Sequence, residues 1–489
     1  MTSEGGVKCH PSWTQTGSNT YTQPYGFQEV LYNAITVPPG SPGLFLIGSS
    51  VTFSHIPSSP GNELSTQDLV PLLRKAWLQL RQQYPTLAAE NHPNGKTYTS
   101  PLSSVEFEAW LDETFIVTPG KTSVEHWKTM VKTSKTTLHF FPEERQLFMQ
   151  GEHHILDGRG VMNFWDRFFK FLASPAKEDL LKKTYGSEIA RLPPRSDDLL
   201  DMKEIGPGRG EQRALEILAP LTTMQSPITV PVPRPLPPCS TRNAALEFQL
   251  SARTTGSIIA ACKAQRLSVT AAWHAAVVLA TQTIQAQRNS AASGGTRAEV
   301  GKQFAAFGNF DLRRYFPVVD EAVLPDAYAL SNHHGVLPYV VEPDGKNFPE
   351  IARELAAFYQ QDLPKADAEV WSALGPMIRT MVPEFTVAQL EETTPALSSL
   401  GVVDNFIGSS YTDVEEKGIW RIEEVWFGDT VTGPWLECFM WAWQGRLSVN
   451  TCFNPAYYTR AEVNEWNQLV LEKMLNGLGI LGRSSSSKL

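Results

Sequence analysis

The stretch Gly151–Gly158, GEHHILDG, contains the residue types that acid–base chemistry needs. Either His153 or His154 could remove a proton near neutral pH and return it later, because an imidazole changes its charge in that range. Asp157 is a carboxylate that needs a partner if it is buried. Gly158 would let the backbone turn sharply after the carboxylate. The stretch is therefore a candidate for a catalytic base with its supports.

The elements on either side of this stretch place it at a turn from a strand to a helix. Residues 136–141 and 146–152 indicate two strands, and the polar segment Pro142–Arg145 between them indicates a hairpin. Apolar residues after the stretch repeat with helical spacing. These residues are Val161, Phe164, Trp165, Phe168, Phe171 and Leu172. On such a turn, side chains can face a cleft.

The strand pattern favours His153 over His154 as the base. If the strand continues that far, Leu147, Met149, Gly151 and His153 share one face and His154 points the other way. His154 is then a hydrogen-bonded loop or core residue. The alternative is a β-bulge that brings His154 to the cleft instead.

The spacing His153-x-x-x-Asp157-Gly158 resembles the H-x-x-x-D-G signature of the acyl-CoA-dependent acyltransferase superfamily. That group contains chloramphenicol acetyltransferase, plant BAHD acyltransferases, peptide-synthetase condensation domains and fungal trichothecene O-acetyltransferases. The resemblance covers most of the chain, including the phrase YPTLAAE, the helix SVTAAWHAAVVLA and Ser398–Gly401. The plant motif D-F-G-W-G is absent, and the nearest stretch by position is Trp426–Asp429. This departure points towards the fungal trichothecene-type branch.

The resemblance implies a mixed α/β fold of two chloramphenicol-acetyltransferase-like lobes, with an active-site tunnel at their interface. The expected organisation is an N-terminal lobe over residues 1–217, a Pro-rich crossover over 218–242, a C-terminal lobe over 243–482 and a flexible tail over 483–489. Five further elements are predicted from periodicity and strand-like composition. They are a helix from Ser65 to before Pro85 with Ser65 and Asp68 as a capping pair, a helix from Thr254 to about Gln285, strands at 435–443 and 446–453, and a helix over about 459–475.

The resemblance also assigns roles to residues. In the family the three-residue gap before the aspartate is counted from the base, so His153 is the base and Asp157 supports the loop. The segment Asn309–Arg313 resembles the one that supplies an arginine to the motif aspartate, so Arg313 is expected to pair with Asp157. The donor for the oxyanion of the tetrahedral intermediate is not identified by the sequence. Ser399 and Thr451 are candidates, although a structural role explains each of them better.

The reaction implied is transfer of an acyl group, acetyl or longer, from acyl-CoA to a hydroxyl of a small hydrophobic secondary metabolite, or less readily to an amine. Acyl-CoA is the co-substrate, and neither a metal, a permanently bound cofactor nor a covalent intermediate is expected. One alternative is a stand-alone condensation-type enzyme that takes its acyl group from a carrier protein. Another is a non-acylating binding or scaffold protein that kept the fold.

Composition and the chain terminus bound the partners. The formal net charge of −9 and the pI of about 5.7 argue against a nucleic-acid surface. The most apolar run, Ala271–Ala280, is far shorter than the roughly 20 residues that span a bilayer. Five cysteines without C-x-x-C spacing suit a reducing compartment. The terminal Ser487, Lys488 and Leu489 match a peroxisomal address read by an import receptor, so we expect a peroxisomal protein, which would be cytosolic if the address is not read. We also expect a monomer.

Overall fold

Helices and strands are mixed along the chain in a computed structural model, which describes residues 9–175, 186–200, 202, 206–232, 235–292, 300–317, 326, 329–385, 394–415 and 417–481. The strands are β1 (Thr14–Gln15), β2 (Thr20–Gln23), β3 (Leu46–Pro57), β4 (Glu90–His92), β5 (Gly95–Thr99), β6 (Phe115–Val117), β7 (Thr137–Phe141), β8 (Gln146–Glu152), β9 (Ala244–Gln249), β10 (Phe304–Asp311), β11 (His334–Val341), β12 (Ala396–Val402), β13 (Ser410–Thr412), β14 (Gly418–Asp429), β15 (Leu436–Trp443) and β16 (Arg446–Phe453).

The α-helices are α1 (Phe27–Ala34), α2 (Thr66–Gln83), α3 (Ser104–Thr114), α4 (Ser123–Lys128), α5 (Gly158–Ala173), α6 (Ser196–Leu199), α7 (Arg209–Thr222), α8 (Ala252–Ala264), α9 (Val269–Ala292), α10 (Phe348–Gln360), α11 (Leu363–Ala366), α12 (Val370–Met381) and α13 (Arg460–Gly477). Short 3₁₀ helices lie at Pro85–Ala88, Glu188–Arg191, Leu312–Tyr315, Val382–Phe385 and Val403–Asn405. The predicted mixed α/β class is confirmed.

The chain divides into two compact units, and neither is a continuous piece of sequence. The first unit combines residues 1–202 with 311–334 and 402–429. The second combines 203–310, 335–401 and 430–489. The sequence division had placed 311–334 and 402–429 in the C-terminal lobe, whereas their contacts group them with the N-terminal part of the chain.

A six-stranded sheet forms the first unit's centre, in the order β13-β14-β3-β8-β7-β6. The predicted hairpin is present as β7 and β8, which pair antiparallel, and β3 lies on the other side of β8. Every residue of β7 is buried, as is almost every residue of β8, so these strands are covered on both faces. The end of β8, just before His153, is thereby fixed by two neighbouring strands. A smaller sheet, in the order β1-β2-β5-β4, belongs to the same unit.

Two helices of the first unit follow from the predicted sequence signals. The helix α2 begins after Ser65, whose hydroxyl accepts a hydrogen bond from the Asp68 amide, and the Asp68 carboxylate accepts one from the Ser65 amide. The helix α5 follows the motif and buries the apolar stripe of its sequence. The side chains in that stripe are Val161, Met162, Phe164, Trp165, Phe168, Phe169 and Leu172.

The second unit has an apolar core built around α9. Its sheets have the orders β12-β15-β16-β9 and β10-β11. Small side chains line α9, among them Ala271, Ala272, Ala275 and Ala276, so neighbouring helices can approach closely. The predicted strands at 435–443 and 446–453 are present as β15 and β16, and the predicted last helix is α13.

The single helix predicted from Thr254 to about Gln285 is wrong, because two helices occupy this region. The helix α8 ends at Ala264 and α9 begins at Val269, with an angle of 97° between them. Between them Arg266 has a φ of 56°, a left-handed conformation that stops a helix. The Ser268 hydroxyl then accepts a hydrogen bond from the Ala271 amide at 3.1 Å, which caps the start of α9.

The Pro-rich crossover begins later than predicted. Residues 218–222 belong to α7, with Pro220 in its last turn, so the predicted start of the crossover at residue 218 is wrong. Beyond Thr222 the described residues up to β9 form no helix or strand, apart from an isolated bridge between Pro227 and Gln303. The predicted flexible tail, including Ser487, Lys488 and Leu489, lies outside the described residues.

Within the described part of the chain, no individual helix has the length and apolar character to cross a bilayer. The bent pair α8 and α9 reaches that threshold only when the two helices are taken together, and by length and composition alone.

Candidate active site

The motif lies on a tight turn between β8 and α5 in the first unit. The amide of Ile155 donates a hydrogen bond to the carbonyl of Glu152 at 3.0 Å, which closes the turn directly after β8. Asp157 is the N-cap of α5, and its carboxylate accepts a hydrogen bond from the Gly160 amide at 2.7 Å. The turn is thus held by the strand at one end and by a helix cap at the other.

Arg313 makes the predicted contact with Asp157. Its Nη1 and Nη2 atoms donate to the two carboxylate oxygens of Asp157 at 2.8 and 3.2 Å, a bidentate arrangement. Arg313 also donates to the carbonyl of Ser331 at 2.7 Å and to Asp311 at 3.2 Å. The segment that begins at Asp311 is therefore joined to the motif by a chain of charged hydrogen bonds.

Asp157 is kept ionised although it is buried. Burial alone would raise the pKa of this carboxyl, but the Arg313 guanidinium beside it outweighs that effect and holds the pKa below its usual range. The backbone amide of His333 adds a hydrogen bond to Asp157 at 2.7 Å. The side chain of Asp157 is 4% exposed, so this carboxylate braces the turn from inside the protein.

Gly158 does not supply the sharp turn expected of it. It is the first residue of α5 and is absent from the glycines of the described chain that have a positive φ. The close approach occurs instead at Gly160, where a Cβ atom would lie 2.9 Å from the carbonyl oxygen of Ser331. The second glycine of the sequence Asp157-Gly158-Arg159-Gly160 thus lets α5 pack against the Ser331 segment.

His153 is held by one carboxylate and one aromatic ring. Its Nε2 atom lies 3.2 Å from Oδ2 of Asp429, the last residue of β14. The ring of Tyr32, on α1, stacks on the imidazole with centroids 4.5 Å apart and planes 5° apart. The His153 side chain is 14% exposed, but its Nδ1 atom is buried and has no hydrogen-bond partner among the described residues.

A closed set of contacts links the backbone of His153 to the ring of Tyr32. The Asn332 amide donates from Nδ2 to the His153 carbonyl at 2.6 Å, and its Oδ1 lies 2.8 Å from Nδ1 of His334. Nε2 of His334 lies 2.9 Å from the Tyr32 hydroxyl. Since Asn332 Oδ1 can only accept, His334 carries its hydrogen on Nδ1 and accepts from Tyr32. The position of His153 is therefore set at both its main chain and its ring.

His154 has a different environment from His153. It is buried, its Nδ1 lies 3.7 Å from Glu152, and Tyr25 packs against its ring at 5.1 Å. Burial lowers the pKa of His154 well below its usual value, and the cations Lys96 and Lys132 lower it further. At neutral pH this imidazole is uncharged and enclosed.

The sequence analysis did not include the pair His333-His334 among the site residues. In the structure His333 donates its amide to Asp157 and His334 holds Tyr32. Burial lowers the pKa of His334 to about 3, and the nearby His153 contributes to the same shift. The partners come from α1 and the motif, far away in sequence, so spacing alone could not have found them.

Ser399 and Thr451, the oxyanion candidates, lie in the second unit. The Ser399 hydroxyl forms a hydrogen bond with the Thr270 hydroxyl at 2.8 Å. Thr451 is in the central part of β16, is 0% exposed, and donates its hydroxyl to Asn467 at 2.8 Å. These contacts give Thr451 a structural role, as the sequence had favoured.

A small pocket in the first unit lies beside the two motif histidines. It is lined by His153, His154, Tyr32, the residues that follow α1, the residues that lead into β3, Lys132 and the last residue of β8. Lys132 and Glu152 form a buried ion pair at 2.9 Å in its wall. Phe45, another lining residue, has a φ of 55°, a strained conformation for a bulky side chain. The described residues contain no group of three or more His, Cys, Asp or Glu side chains that could hold a metal ion.

Comparison with known proteins gives relatives over nearly the whole chain. No family model matches it. Acetyltransferase pigO of Monascus ruber is 25% identical over 419 residues, which cover 85% of this chain and 87% of that protein. O-acetyltransferase pigM of the same organism is 27% identical over 461 residues, 91% of this chain and 83% of that protein. A protein of Epichloe uncinata named loline biosynthesis cluster 1 transcription factor lolU1 is 24% identical over 96% of this chain and 98% of its own length.

A solved structure decides the fold. Trichothecene 15-O-acetyltransferase TRI3 from Fusarium sporotrichioides superimposes with a TM-score of 0.76 at 18% identity, over 95% of this chain and 98% of that one. The chain has the fold of the acyl-CoA-dependent acyltransferases. The fold implied by the H-x-x-x-D-G spacing is thereby confirmed. The two relatives named acetyltransferases support acyl transfer as the class of reaction.

Proposed function

We propose that the protein transfers an acyl group from acyl-CoA to a hydroxyl group of a small hydrophobic secondary metabolite, with His153 as the general base. The observation that carries this proposal is the difference between the two motif histidines. His153 is partly exposed and held by Tyr32 and Asp429, whereas His154 is enclosed. A base must be fixed in position and still be reachable by a substrate. His153 is held by its contacts, and its side chain is more exposed than that of His154, 14% against 2%.

In the proposed reaction His153 removes the proton from the acceptor hydroxyl while its oxygen attacks the thioester carbon. The C–O bond forms, the resulting tetrahedral oxyanion collapses, and the C–S bond breaks. The imidazolium then returns its proton to the CoA thiolate. The thioester is already activated, so holding the two substrates together supplies much of the rate.

Asp157 and Arg313 stabilise the turn in this proposal and do not move protons. Their bidentate pair lies behind the turn, and the hydrogen bonds of Asp157 go to Arg313, Gly160 and His333. Because the pair holds Asp157 ionised, its carboxylate stays in place as the N-cap of α5.

The test is to incubate the purified protein with acetyl-CoA or octanoyl-CoA and a small-molecule extract of the organism that makes it. Release of free thiol together with a new acylated product, identified by mass spectrometry, supports the proposal. The matched control is His153→Ala in the same extract. Thiol release without an acylated product would indicate thioester hydrolysis and contradict the transfer.

Two other functions would give different results in this experiment. A condensation-type enzyme would need a carrier-protein thioester, so it would leave free acyl-CoA intact and react with the same acyl group on a carrier protein. A non-acylating role has support from the relative named a transcription factor. The net charge of −9 argues against direct DNA binding. A non-acylating protein would leave both donors intact in the extract experiment.

We also propose peroxisomal import through Ser487, Lys488 and Leu489, which match the receptor-read address Ser-Lys-Leu. A fusion with a fluorescent protein at the N-terminus should collect in peroxisomes, and removal of the three residues should release it to the cytosol. A full-length fusion that is already diffuse would contradict this.

A further inference from the structure

One connection of the first unit forms half of the pocket beside the motif histidines. It runs from α1 to β3 over residues 35–45, and we call it the strap. Six of the twelve residues that line the pocket belong to the strap. They are Ile35, Thr36, Val37, Gly43, Leu44 and Phe45.

The strap is packed at its ends and exposed in its middle. Ile35 and Leu44 are buried, whereas Thr36 and residues 38–40 are exposed and Val37 is half-buried. A segment with few buried apolar side chains opens locally at a low cost in free energy. The middle of the strap is therefore the part of the pocket wall that packing fixes least.

Lys132 holds this middle part to the opposite wall of the pocket. Its main-chain carbonyl accepts a hydrogen bond from the Gly40 amide at 2.8 Å, and its amide donates to the Ser41 carbonyl at 3.0 Å. Its ammonium donates to the Thr36 hydroxyl at 2.6 Å and pairs with Glu152 at 2.9 Å. We call the three contacts with the strap the latch.

The latch can be broken without leaving a charge unpaired. Its partners on the strap belong to exposed or half-buried residues, so water can replace Lys132 as their hydrogen-bonding partner. The buried pair of Lys132 with Glu152 does not involve the strap and is kept when the strap moves. Opening therefore avoids the large cost of separating two buried charges.

The backbone of the strap is stiff except at a few residues. Pro38, Pro39 and Pro42 each have a φ that the ring holds near −65°. Gly40 has a φ of 83°, and Phe45, where the strap joins β3, has a φ of 55°. The left-handed conformation is costly for a bulky residue such as Phe45, so the latched strap is strained at its end.

The two walls of the pocket differ in polarity. The strap contributes the apolar side chains of Val37, Leu44 and Phe45, and the opposite wall contributes the Lys132–Glu152 pair. The Lys132 ammonium has three hydrogens, and Thr36 and Glu152 accept two of them. An apolar molecule with a hydroxyl or carbonyl oxygen matches both walls.

We propose that the strap is a lid over the pocket beside His153, held closed by the Lys132 latch, which opens to admit an apolar acceptor with an oxygen substituent. The movement of the lid does not depend on the reaction, whereas the identity of the admitted molecule rests on the proposed function. The tests therefore measure opening, access and turnover separately.

The first test measures opening by hydrogen exchange and mass spectrometry, without a substrate. Gly40→Ala adds a methyl group in open space, because no atom beyond the neighbouring residues lies within 4 Å of a Cβ at this position. It makes the φ of 83° costly, so it should speed exchange of the strap amides and of the Lys132 amide by roughly 5–30-fold. Exchange in β8 should stay as in the wild type. A folded Gly40→Ala with wild-type exchange in the strap would overturn the lid.

The matched control is Gly61→Ala in the connection between β3 and α2. Gly61 is also exposed, has a φ of 87°, and has the same open space around a Cβ position. This substitution should leave exchange in the strap unchanged. If Gly40→Ala and Gly61→Ala speed it equally, the cause is a general loss of stability and the latch is wrong.

A second variant tests the ammonium contact of the latch. Thr36→Val keeps the shape of the side chain but removes the oxygen that accepts from Lys132, so strap exchange should again become faster. Thr99→Val, at an exposed position on β5, is its control and should not change strap exchange. Equal exchange in these two variants would remove the ammonium from the latch.

The next test measures access of a small neutral molecule to the pocket. Leu46 is the first residue of β3, is buried and lines the pocket, so Leu46→Cys places a thiol on the fixed wall. N-Ethylmaleimide should label this thiol only through opening, and peptide mass spectrometry gives the rate. Adding Gly40→Ala should raise the labelling rate by the same factor as the exchange rate. A labelling rate that does not follow exchange would mean that the strap is not the entrance.

The last test joins the lid to turnover with acetyl-CoA and the acceptor of the acylated product found in the extract. Labelled Leu46→Cys should have a kcat/KM for the acceptor about 10-fold or more below that of the same protein before labelling, because the attached group occupies the pocket. Wild type treated in the same way, with its exposed Cys239 labelled, is the control and should keep its turnover. An unchanged kcat/KM after labelling would show that the acceptor does not use this pocket. If no acylated product forms at all, the proposed function fails, while exchange and labelling still decide the lid.

Discussion

The two units of the molecule bury different kinds of groups. Around the motif, the first unit encloses the ion pairs Asp157–Arg313, Glu152–Lys132 and Glu29–Lys96, with side chains between 4% and 15% exposed. In the second unit, ion pairs such as Arg213–Asp367 and Lys346–Glu354 have side chains that are at least 20% exposed. Its core around α9 is apolar, apart from residues such as His274.

This difference separates two ways of fixing a structure. An apolar core is sensitive to changes of volume. A substitution that removes buried atoms lowers the stability by an amount that grows with the cavity it leaves. A core with paired charges resists changes of protonation and charge, since removing one partner leaves the other uncompensated. The first kind suits a scaffold, and the second suits a site whose side chains must keep one orientation. Substitutions should therefore affect the two regions by different rules.

The largest effect is expected at the motif histidines. At saturating acyl-CoA, His153→Ala should lower turnover by roughly 10²–10⁴-fold, because it removes the general base. His154→Ala should keep most of its turnover when folded, because the His154 side chain is only 2% exposed. Stopped-assay kinetics with circular dichroism as a folding control measure both. A folded but inactive His154→Ala beside an active His153→Ala would reverse the assignment.

Next in size is the loss of the buried charge partner. Asp157→Ala should lower the free energy of unfolding by up to about 3–5 kcal/mol, because it leaves the Arg313 charge without its partner. The loss is smaller to the extent that Arg313, whose side chain is 15% exposed, is hydrated by water. Asp157→Asn can still cap α5, which contributes about 1 kcal/mol. Comparing it with Asp157→Ala therefore separates the effect of the cap from the effect of the charge. Urea denaturation gives these values.

The matched control breaks a pair in the second unit. Lys346→Ala removes the ion pair with Glu354, whose partners are 35% and 27% exposed, and should cost under about 1 kcal/mol. If both substitutions lowered the stability equally, the contrast between the two regions would not exist.

A smaller effect, spread over pH, is expected from His334. Burial lowers its pKa from 6.5 to about 3, with contributions from His153 and Arg313, while the Asp157 charge opposes them. Below pH 6.5 the unfolded chain takes up a proton that the folded protein excludes. The contribution of His334 to stability is therefore complete above pH 6.5 and is lost as the pH falls towards 3. In unfolding curves across this range, His334→Gln should show a weaker pH dependence than the wild type.

Leu355→Ala in the second unit is the control for pH. It should lower the free energy of unfolding by about 2–5 kcal/mol, by the same amount at each pH, because it removes buried volume and no charge. A pH-independent stability in the wild type, or an unchanged slope in His334→Gln, would contradict the polar description of the first unit.

The smallest effect on catalysis is expected at the tail. Deletion of Ser487, Lys488 and Leu489 should leave turnover and the melting temperature unchanged, since the proposed role of these residues is recognition by an import receptor. Side-by-side kinetics and thermal melts of the two proteins test this. A drop in either quantity would give the tail a structural or catalytic role.

The parts of the molecule that could be predicted from sequence depend on neighbouring residues. The cap at Ser65, the hairpin of β7 and β8 and the apolar stripe of α5 are each encoded within about twenty residues. The break between α8 and α9 was encoded just as locally, by Ser268 before α9. It was not predicted because the alanine-rich sequence after Ser268 continues the helical pattern.

The rest of the site depends on contacts that local patterns do not contain. Arg313 was found through a family resemblance and not through its spacing. Tyr32, Asn332, His334 and Asp429 had no such signal, because each reaches His153 from a different element through the register of strands and the course of distant segments. Trp426–Asp429 was noted only as the stretch nearest in position to an absent plant motif. The pairing of β14 with β3 is what shows that the Asp429 carboxylate lies beside His153.

The distances along the chain within the first unit also set an order of events during synthesis. Asp157 leaves the ribosome 156 residues before Arg313, and His153 leaves it 276 residues before Asp429. At roughly 5–20 residues per second, the first interval is about 8–30 s and the second about 14–55 s. During these intervals the motif carboxylate lacks its cation and β3 lacks β14 along one edge. A nascent chain that has only its N-terminal half therefore exposes an unpaired strand edge, and for that period it depends on the ribosome and chaperones to avoid aggregation.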